Sequence, residues 1–87
     1  MDEDKIMTFP CEFPIKIVGV AGDAFEIAAL SIIHAHFPEL KQNAIKTRTS
    51  KEGKYLAITV VVTATSQEQL DAVYQALTDS IDIMIAL

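Results

Sequence analysis

Two histidines and one cysteine are the side chains of this 87-residue sequence that first suggest metal binding or nucleophilic chemistry. His34 and His36 lie two positions apart, so on a helix their side chains point about 200° apart and do not reach one metal ion. Two histidines that bind one zinc ion from a helix are instead about four positions apart, one helical turn. Cys11 has no second cysteine for a redox or metal-transfer motif, and no base is evident beside it. We therefore expect no catalytic residue, no metal and no cofactor.

A glycine-containing segment, Gly19-x-x-Gly22-Asp23, is the strongest candidate for a small-ligand site. Glycines let the backbone approach a ligand closely, and a following helix N-terminus offers unpaired N–H groups to an anion. The competing interpretation is that the glycines only permit a tight turn from strand to helix. The segment predicts Gly19, Gly22 and Asp23 as binding residues for a small anionic metabolite.

Three cations form the second candidate site. Lys46 and Arg48 are two positions apart, which places them on one face of an extended strand, and Lys16 takes an outward position on the first strand. Such a cluster suits a carboxylate or an acidic protein partner. A merely solvated strand face is the competing interpretation. We predict Lys16, Lys46 and Arg48 as partner-binding residues.

The elements that position these residues follow from the apolar pattern. Phe13–Val20 alternates with period two, which predicts a first strand. Asp23 and Glu26 fit a capping box, so we expect a helix from this point to about His36, ending ahead of Pro38.

The second half of the chain repeats this organisation. Asn43–Ser50 predicts a strand, Lys51–Lys54 a hairpin turn, and Tyr55–Ala64 a central strand rich in Val, Ile and Thr. Ser66 and Gln69 fit a second capping box, which begins a second helix.

The final segment, Ile81–Leu87, alternates again and predicts a fourth strand with its isoleucines on one side. The β-α-β-β-α-β order predicts an α+β fold, the ferredoxin-like sandwich, with a four-stranded antiparallel sheet and two helices on one face. We expect residues 1–12 to be a flexible lead-in and residues 13–87 to be a single domain. The open sheet face should carry Lys16, Val18, Lys46, Arg48, Thr59, Val61 and Met84.

The composition indicates the kind of partner. Hydrophobic residues make up 51% of the chain and the mean hydropathy is +0.30, high for this length, so we expect self-association as a homodimer. The net charge of −5 argues against nucleic acid. No apolar stretch is long enough for a bilayer, and the acidic start precedes no signal-type segment, so we expect a cytoplasmic location without membrane contact.

Two activities known for ferredoxin-like domains lack their residues here. Hydrolysis of acyl phosphates needs an arginine in the turn after the first strand, and Gly19–Gly22 contains no cation. RNA recognition needs aromatic residues on the open face of the first and third strands. Only Tyr55, at a strand end, is aromatic there.

The order of several short motifs resembles the YbeD-like family of small bacterial proteins. The motifs are Phe13-Pro-Ile-Lys16-Ile-Val-Gly19, Gly53-Lys-Tyr55, Ile58-Thr59, Ala64-Thr65 and Val73-Tyr74-x-x-Leu77. The likeness runs from about Phe9 to Leu87, and it departs from the family at Ala57, where a small hydroxyl residue is more usual. The resemblance implies a fold similar to ACT regulatory domains, which bind small ligands, typically amino acids, at dimer interfaces near the turn that Gly19, Gly22 and Asp23 match. It also implies a function not yet established and genes often encoded beside lipoate-attachment genes.

Two hypotheses therefore stand. The first is a non-enzymatic regulatory or small-ligand-sensing module that self-associates. The second is a protein-protein adaptor that docks an acidic partner on its open sheet face, with a link to lipoate metabolism.

Overall fold

The computed structural model describes residues 8–87, which form one four-stranded sheet and two α-helices. The order across the sheet is β2-β3-β1-β4, and every ladder is antiparallel. This architecture confirms the predicted α+β fold class. Neither helix within residues 8–87 is long and apolar enough to cross a membrane. The elements are β1 (Cys11–Val20), α1 (Asp23–His36), β2 (Ile45–Thr49), β3 (Tyr55–Ala64), α2 (Gln67–Asp79) and β4 (Ile85–Ala86).

Alternation along β1 and β3 decides which face of the sheet is buried. Ile15 and Ile17 of β1 pair with Val60 and Ile58 of β3, and none of the four side chains is accessible to solvent. Burial of each such side chain contributes roughly 1.5–3 kcal/mol. Both helices therefore pack on this face and leave the other face open. The helical members of the core are Phe25, Ala29, Ile33, Val73 and Leu77.

The two helices begin in different ways, and only one beginning agrees with the sequence prediction. Ser66 is the N-cap of α2, and its hydroxyl accepts a hydrogen bond from the Gln69 N–H at 3.1 Å, as predicted. The second bond of the predicted capping box is displaced, because the Gln69 side chain accepts from the Thr65 N–H. The capping prediction for α1 is wrong, because Gly22 is the N-cap and Asp23 is already the first helical residue. Gly22 has a φ of 147°, which residues with side chains rarely adopt. The helix therefore begins one residue earlier than it would if Asp23 were the N-cap.

The last strand is much shorter than the predicted Ile81–Leu87, and its alternation is interrupted. Only Ile85–Ala86 forms the ladder with β1, in which Ile85 is the partner of Val18. The Met84 N–H also donates to the Val18 carbonyl at 2.9 Å. Met84 and Ile85 therefore both lie opposite Val18, as in a β-bulge. Ile83 is consequently buried while Ile85 is exposed. The prediction of one isoleucine face is wrong, because the extra residue shifts the alternation.

Two further boundaries differ from the prediction. β1 begins at Cys11, so Cys11 and Glu12 belong to the sheet rather than to the predicted lead-in. Residues 1–7 of that lead-in lie outside the described part of the chain. β2 is shorter than Asn43–Ser50, because the 3₁₀ turn Gln42–Ala44 precedes it.

Candidate functional site

The register of the sheet brings the two predicted lysines into one row. Lys16 of β1 and Lys46 of β2 both pair with Thr59 of β3, from opposite sides. Because neighbouring strands lie about 4.8 Å apart, the two lysine backbones are about 10 Å apart. Leu87 extends the row beyond Lys16, since the backbones of these two residues exchange hydrogen bonds of 2.9 and 2.8 Å.

Arg48 lies in the next row, beside apolar residues. It pairs with Ala57, which pairs with Val18, and Val18 pairs with Ile85. A shallow depression of about 220 Å³ opens over this row. The structure thus brings all three predicted partner-binding residues together on the open face. The depression is lined by Lys16, Val18, Arg48, Thr49, Ser50, Tyr55, Leu56 and Ala57.

Exposed apolar side chains adjoin the cations. Val61 is 41% exposed, Ile85 46% and Leu87 68%. The sequence prediction included Val61 and missed Ile85 and Leu87, because it took Met84 as the outward residue of the last strand. Met84 is exposed, but the bulge gives Ile85 the row position beside Val18. The open face therefore carries cations from the β2 edge across to β1, and exposed apolar residues on β3 and on the β4 side.

Charge is distributed unevenly between the helices and the open face of the sheet, although Glu12 of β1, the partner of Thr63, also lies on the open face. The chain carries 12 acidic residues and 7 Lys and Arg residues, yet neither helix contains a Lys or an Arg. The open face, by contrast, carries a cluster of cations. A protein with a net charge of −5 thus presents a local positive surface to an approaching partner. The helical carboxylates are Asp23, Glu26, Glu68, Asp71 and Asp79.

The residues of the predicted small-ligand turn, Gly19, Gly22 and Asp23, lie in different environments in the structure. Gly19 is buried, and a β-carbon added there would lie 2.6 Å from Cε1 of Phe25 and 2.8 Å from the Asp82 carbonyl oxygen. This glycine therefore serves close packing of α1 on the sheet. Gly22 and Asp23 are exposed, and the first turn of α1 carries the carboxylates of Asp23 and Glu26. Negative charge at a helix N-terminus already complements the helix dipole and repels an anionic ligand. Ligand binding by Gly19, Gly22 and Asp23 stays a prediction.

A cavity of about 610 Å³ lies where the end of α1 meets the start of α2. The side chain of Gln69 links two segments that line this cavity. Its Oε1 accepts from the Thr65 N–H at 2.8 Å, and its Nε2 donates to the His36 carbonyl at 3.3 Å. The Nδ1 of His36 is 3.0 Å from the Ile32 carbonyl. None of the residues predicted as sites lines this cavity. Sequence reasoning missed it because segments distant in the chain, from Glu12 of β1 to Gln69 of α2, form its walls.

The side chains that first suggested chemistry remain apart. His34 is exposed and His36 half-buried on α1, while the free thiol of Cys11 is half-buried at the start of β1. Within residues 8–87, no cluster of three or more His, Cys, Asp or Glu side chains is arranged to hold a metal ion.

The sequence also matches a known family along almost its whole length. A family model described as a protein of unknown function (DUF493) matches residues 4–87. The chain belongs to this family. A UPF0250 protein of Nitrosomonas europaea is 40% identical over 79 residues, covering 91% of each chain. A UPF0250 protein of Janthinobacterium sp. is 42% identical over 74 residues, covering 85% of this chain and 81% of that one. The resemblance to the YbeD-like family of small bacterial proteins is thereby confirmed.

A solved structure resembles this DUF493 chain in fold. The solution structure of protein HP0495 from H. pylori aligns with a TM-score of 0.71, covering 100% of this chain and 94% of that one. The two sequences are 14% identical, so the likeness concerns the fold alone. Membership of the DUF493 family assigns no activity, ligand or partner, so function has to be inferred from the surface.

Proposed function

We propose that this DUF493 protein is a non-catalytic interaction module that binds an acidic segment of a partner protein on its open sheet face. One observation carries the proposal: the register groups Lys16, Lys46 and Arg48 on a face that the helices leave uncovered. No step of this function needs a nucleophile, a base or a metal ion.

The surface offers two contributions to binding. An exposed ion pair contributes only about 0–1 kcal/mol, so three cations alone would give weak binding. Apolar surface removed from water adds roughly 25 cal/mol per Å², and Val61, Ile85 and Leu87 supply such surface. A partner that covers both also excludes water from the ion pairs, which strengthens them. The chemistry of the face therefore favours a segment that mixes Asp or Glu with apolar residues.

The same cations bear on the predicted homodimer. A symmetric dimer uses one patch on both subunits, so a face-to-face pair would set the cation cluster against itself. We infer that the open face binds an acidic partner and that self-association uses another surface.

The small-ligand hypothesis has less support. Gly19 packs under Phe25, and Asp23 adds negative charge where an anion would have to dock. The link to lipoate metabolism rests on the family resemblance and stays a prediction.

A photo-crosslinking amino acid at position 59 tests the proposal in living cells. Thr59 lies between Lys16 and Lys46, so crosslinked partner peptides should be rich in Asp and Glu. The same probe at Ala72, exposed on α2, is the positional control. Equal capture of the same proteins from both positions would mean that the open face has no preferred partner.

Charge reversal provides the second arm of this test. Lys46→Glu/Arg48→Glu should abolish the crosslinks from position 59. Lys41→Glu/Lys51→Glu changes the net charge equally at exposed residues outside the open face and should preserve them. If both double variants lose the crosslinks to the same extent, binding depends on overall charge and the proposal is wrong.

A further inference from the structure

Strand β2 is an edge strand that the helices do not cover. Among residues 8–87, β3 is its only neighbour in the sheet. Lys46, Thr47, Arg48 and Thr49 are all exposed, although Thr47 and Thr49 alternate with the two cations and so lie on the helix side of the sheet. A strand that is open on both faces and along one edge can accept another strand.

The hydrogen bonds of the hairpin show which backbone groups of β2 lie along the free edge. The Ser50 N–H donates to the Tyr55 carbonyl at 2.9 Å, at the position where the ladder between β2 and β3 continues. Hydrogen-bonded pairs alternate along an antiparallel ladder, so Arg48 and Lys46 also direct their backbone groups to β3. Thr47 and Thr49 therefore direct their N–H and C=O groups outward.

The hydrogen bonds of β1 lead independently to the same assignment of the outward groups of β2. The backbone of Lys16 bonds to Leu87, which lies on the β4 side, so the adjacent Ile17 must bond to Ile58 of β3. Ala57 then bonds toward β2, where its partner is Arg48. Two independent contacts thus leave the groups of Thr47 and Thr49 at the outer edge.

We propose that β2 binds its partner by strand addition, in which an extended acidic segment becomes a fifth strand beside Ile45–Thr49. This inference rests on the proposed function and specifies how the partner binds at the β2 side of the open face, where Lys46 and Arg48 lie. The outward groups of Thr47 and Thr49 supply the backbone hydrogen bonds, and carboxylates at alternate positions of the added strand meet Lys46 and Arg48 on the open face. Backbone pairing provides affinity, and the two cations select acidic sequences.

Charge decides between an acidic segment and a second copy of this chain. Pairing β2 with β2 of another copy would place Lys46 and Arg48 among the same residues of that copy on one face. Like charges on neighbouring strands are destabilising, and lysines on edge strands commonly prevent such pairing. The acidic segment is therefore the occupant that this edge fits.

Proline substitution separates strand addition from docking on the face. Thr47→Pro removes an outward N–H and leaves the ladder to β3 intact, as proline on an edge strand allows. Thr47→Val retains the N–H in a side chain of similar shape and is the matched control. The probe is a fluorescent extended peptide with glutamate at alternate positions and valine between them, titrated by anisotropy at low salt.

We expect the peptide to bind the wild-type protein and the Thr47→Val variant equally, and to bind Thr47→Pro about tenfold more weakly. In the unmutated protein, binding should slow hydrogen exchange of the Thr47 and Thr49 amides, a measurement that does not depend on how the proline variant folds. Equal binding to Thr47→Pro and Thr47→Val, or no added protection at these amides, would overturn strand addition.

The outcomes also distinguish this inference from the proposed function. If Lys46→Glu/Arg48→Glu abolishes peptide binding and Thr47→Pro does not, the acidic partner docks on the face and only strand addition is wrong. If neither variant weakens binding, both ideas fail.

Discussion

Lys16 and Lys46, thirty positions apart in the chain, flank Thr59 in a single row of the sheet. Antiparallel pairing on both sides of β3 produces this arrangement. A cross-strand neighbour lies within reach of a long side chain, so a carboxylate placed at position 59 would interact with both lysines.

Thr59→Glu should therefore stabilise the protein relative to the isosteric control Thr59→Gln. We expect a difference of up to about 1 kcal/mol in the free energy of unfolding at low salt, decreasing as salt screens the charges. Urea unfolding at two ionic strengths measures it. Equal stability of the two variants at low salt would mean that the lysines do not act on this position together.

Gly19→Ala should destabilise the protein by about 1–3 kcal/mol, because its β-carbon would overlap the ring of Phe25. Urea unfolding checks the loss. The double variant Gly19→Ala/Phe25→Leu should lose less than the sum of the two single variants, since the smaller side chain gives space to the added methyl group. Additive losses would show that the two positions are not in contact.

Tyr74→Phe should make the protein less sensitive to alkali. The ring of Tyr74 packs edge-to-face on Phe13, with centroids 6.4 Å apart, and burial raises the pKa of Tyr74 above its ordinary value of 10.0. The neutral phenol is therefore favoured in the folded protein, and this contribution is complete below pH 10 and is lost as the pH rises through the raised pKa. Unfolding free energies of both proteins across this alkaline range test the prediction, and parallel curves would contradict it.

Small anions should show no saturable binding at the turn between β1 and α1. The carboxylates of Asp23 and Glu26 occupy the first turn of α1, where an anion would otherwise be attracted. Titration calorimetry with amino acids and lipoate precursors is the measurement. Saturable heat that disappears in a folded Gly22→Val variant would instead support the ligand-sensing hypothesis.

Much of the fold was predictable because its signals are local. The alternation of β1 and β3 expresses a two-residue period that each strand carries by itself. The structure retains β3 with its predicted bounds, and β1 begins two residues earlier than predicted. The Ser66 cap was predictable for the same reason, since it concerns atoms within one turn of helix.

The local signals failed where another part of the chain sets the geometry. Gly22 replaced Asp23 as the cap of α1, because the turn that joins α1 to the sheet needs a conformation available mainly to glycine. The phase of the last strand changed because Met84 and Ile85 both face Val18. Gly19 looked like a ligand contact because its sequence does not show that Phe25 covers it.

The sequence by itself determined the order of the elements, the inward and outward residues of the long strands and the placement of Lys16, Lys46 and Arg48 on one face. These features follow from periodicity within short segments. Only the tertiary structure decided that Thr59 separates the two lysines, that Ile85 and Leu87 border them, and that Thr47 and Thr49 have free backbone groups. Register and edge position are relations between strands, fixed by pairing and by the bulge at Met84, and no single segment contains them.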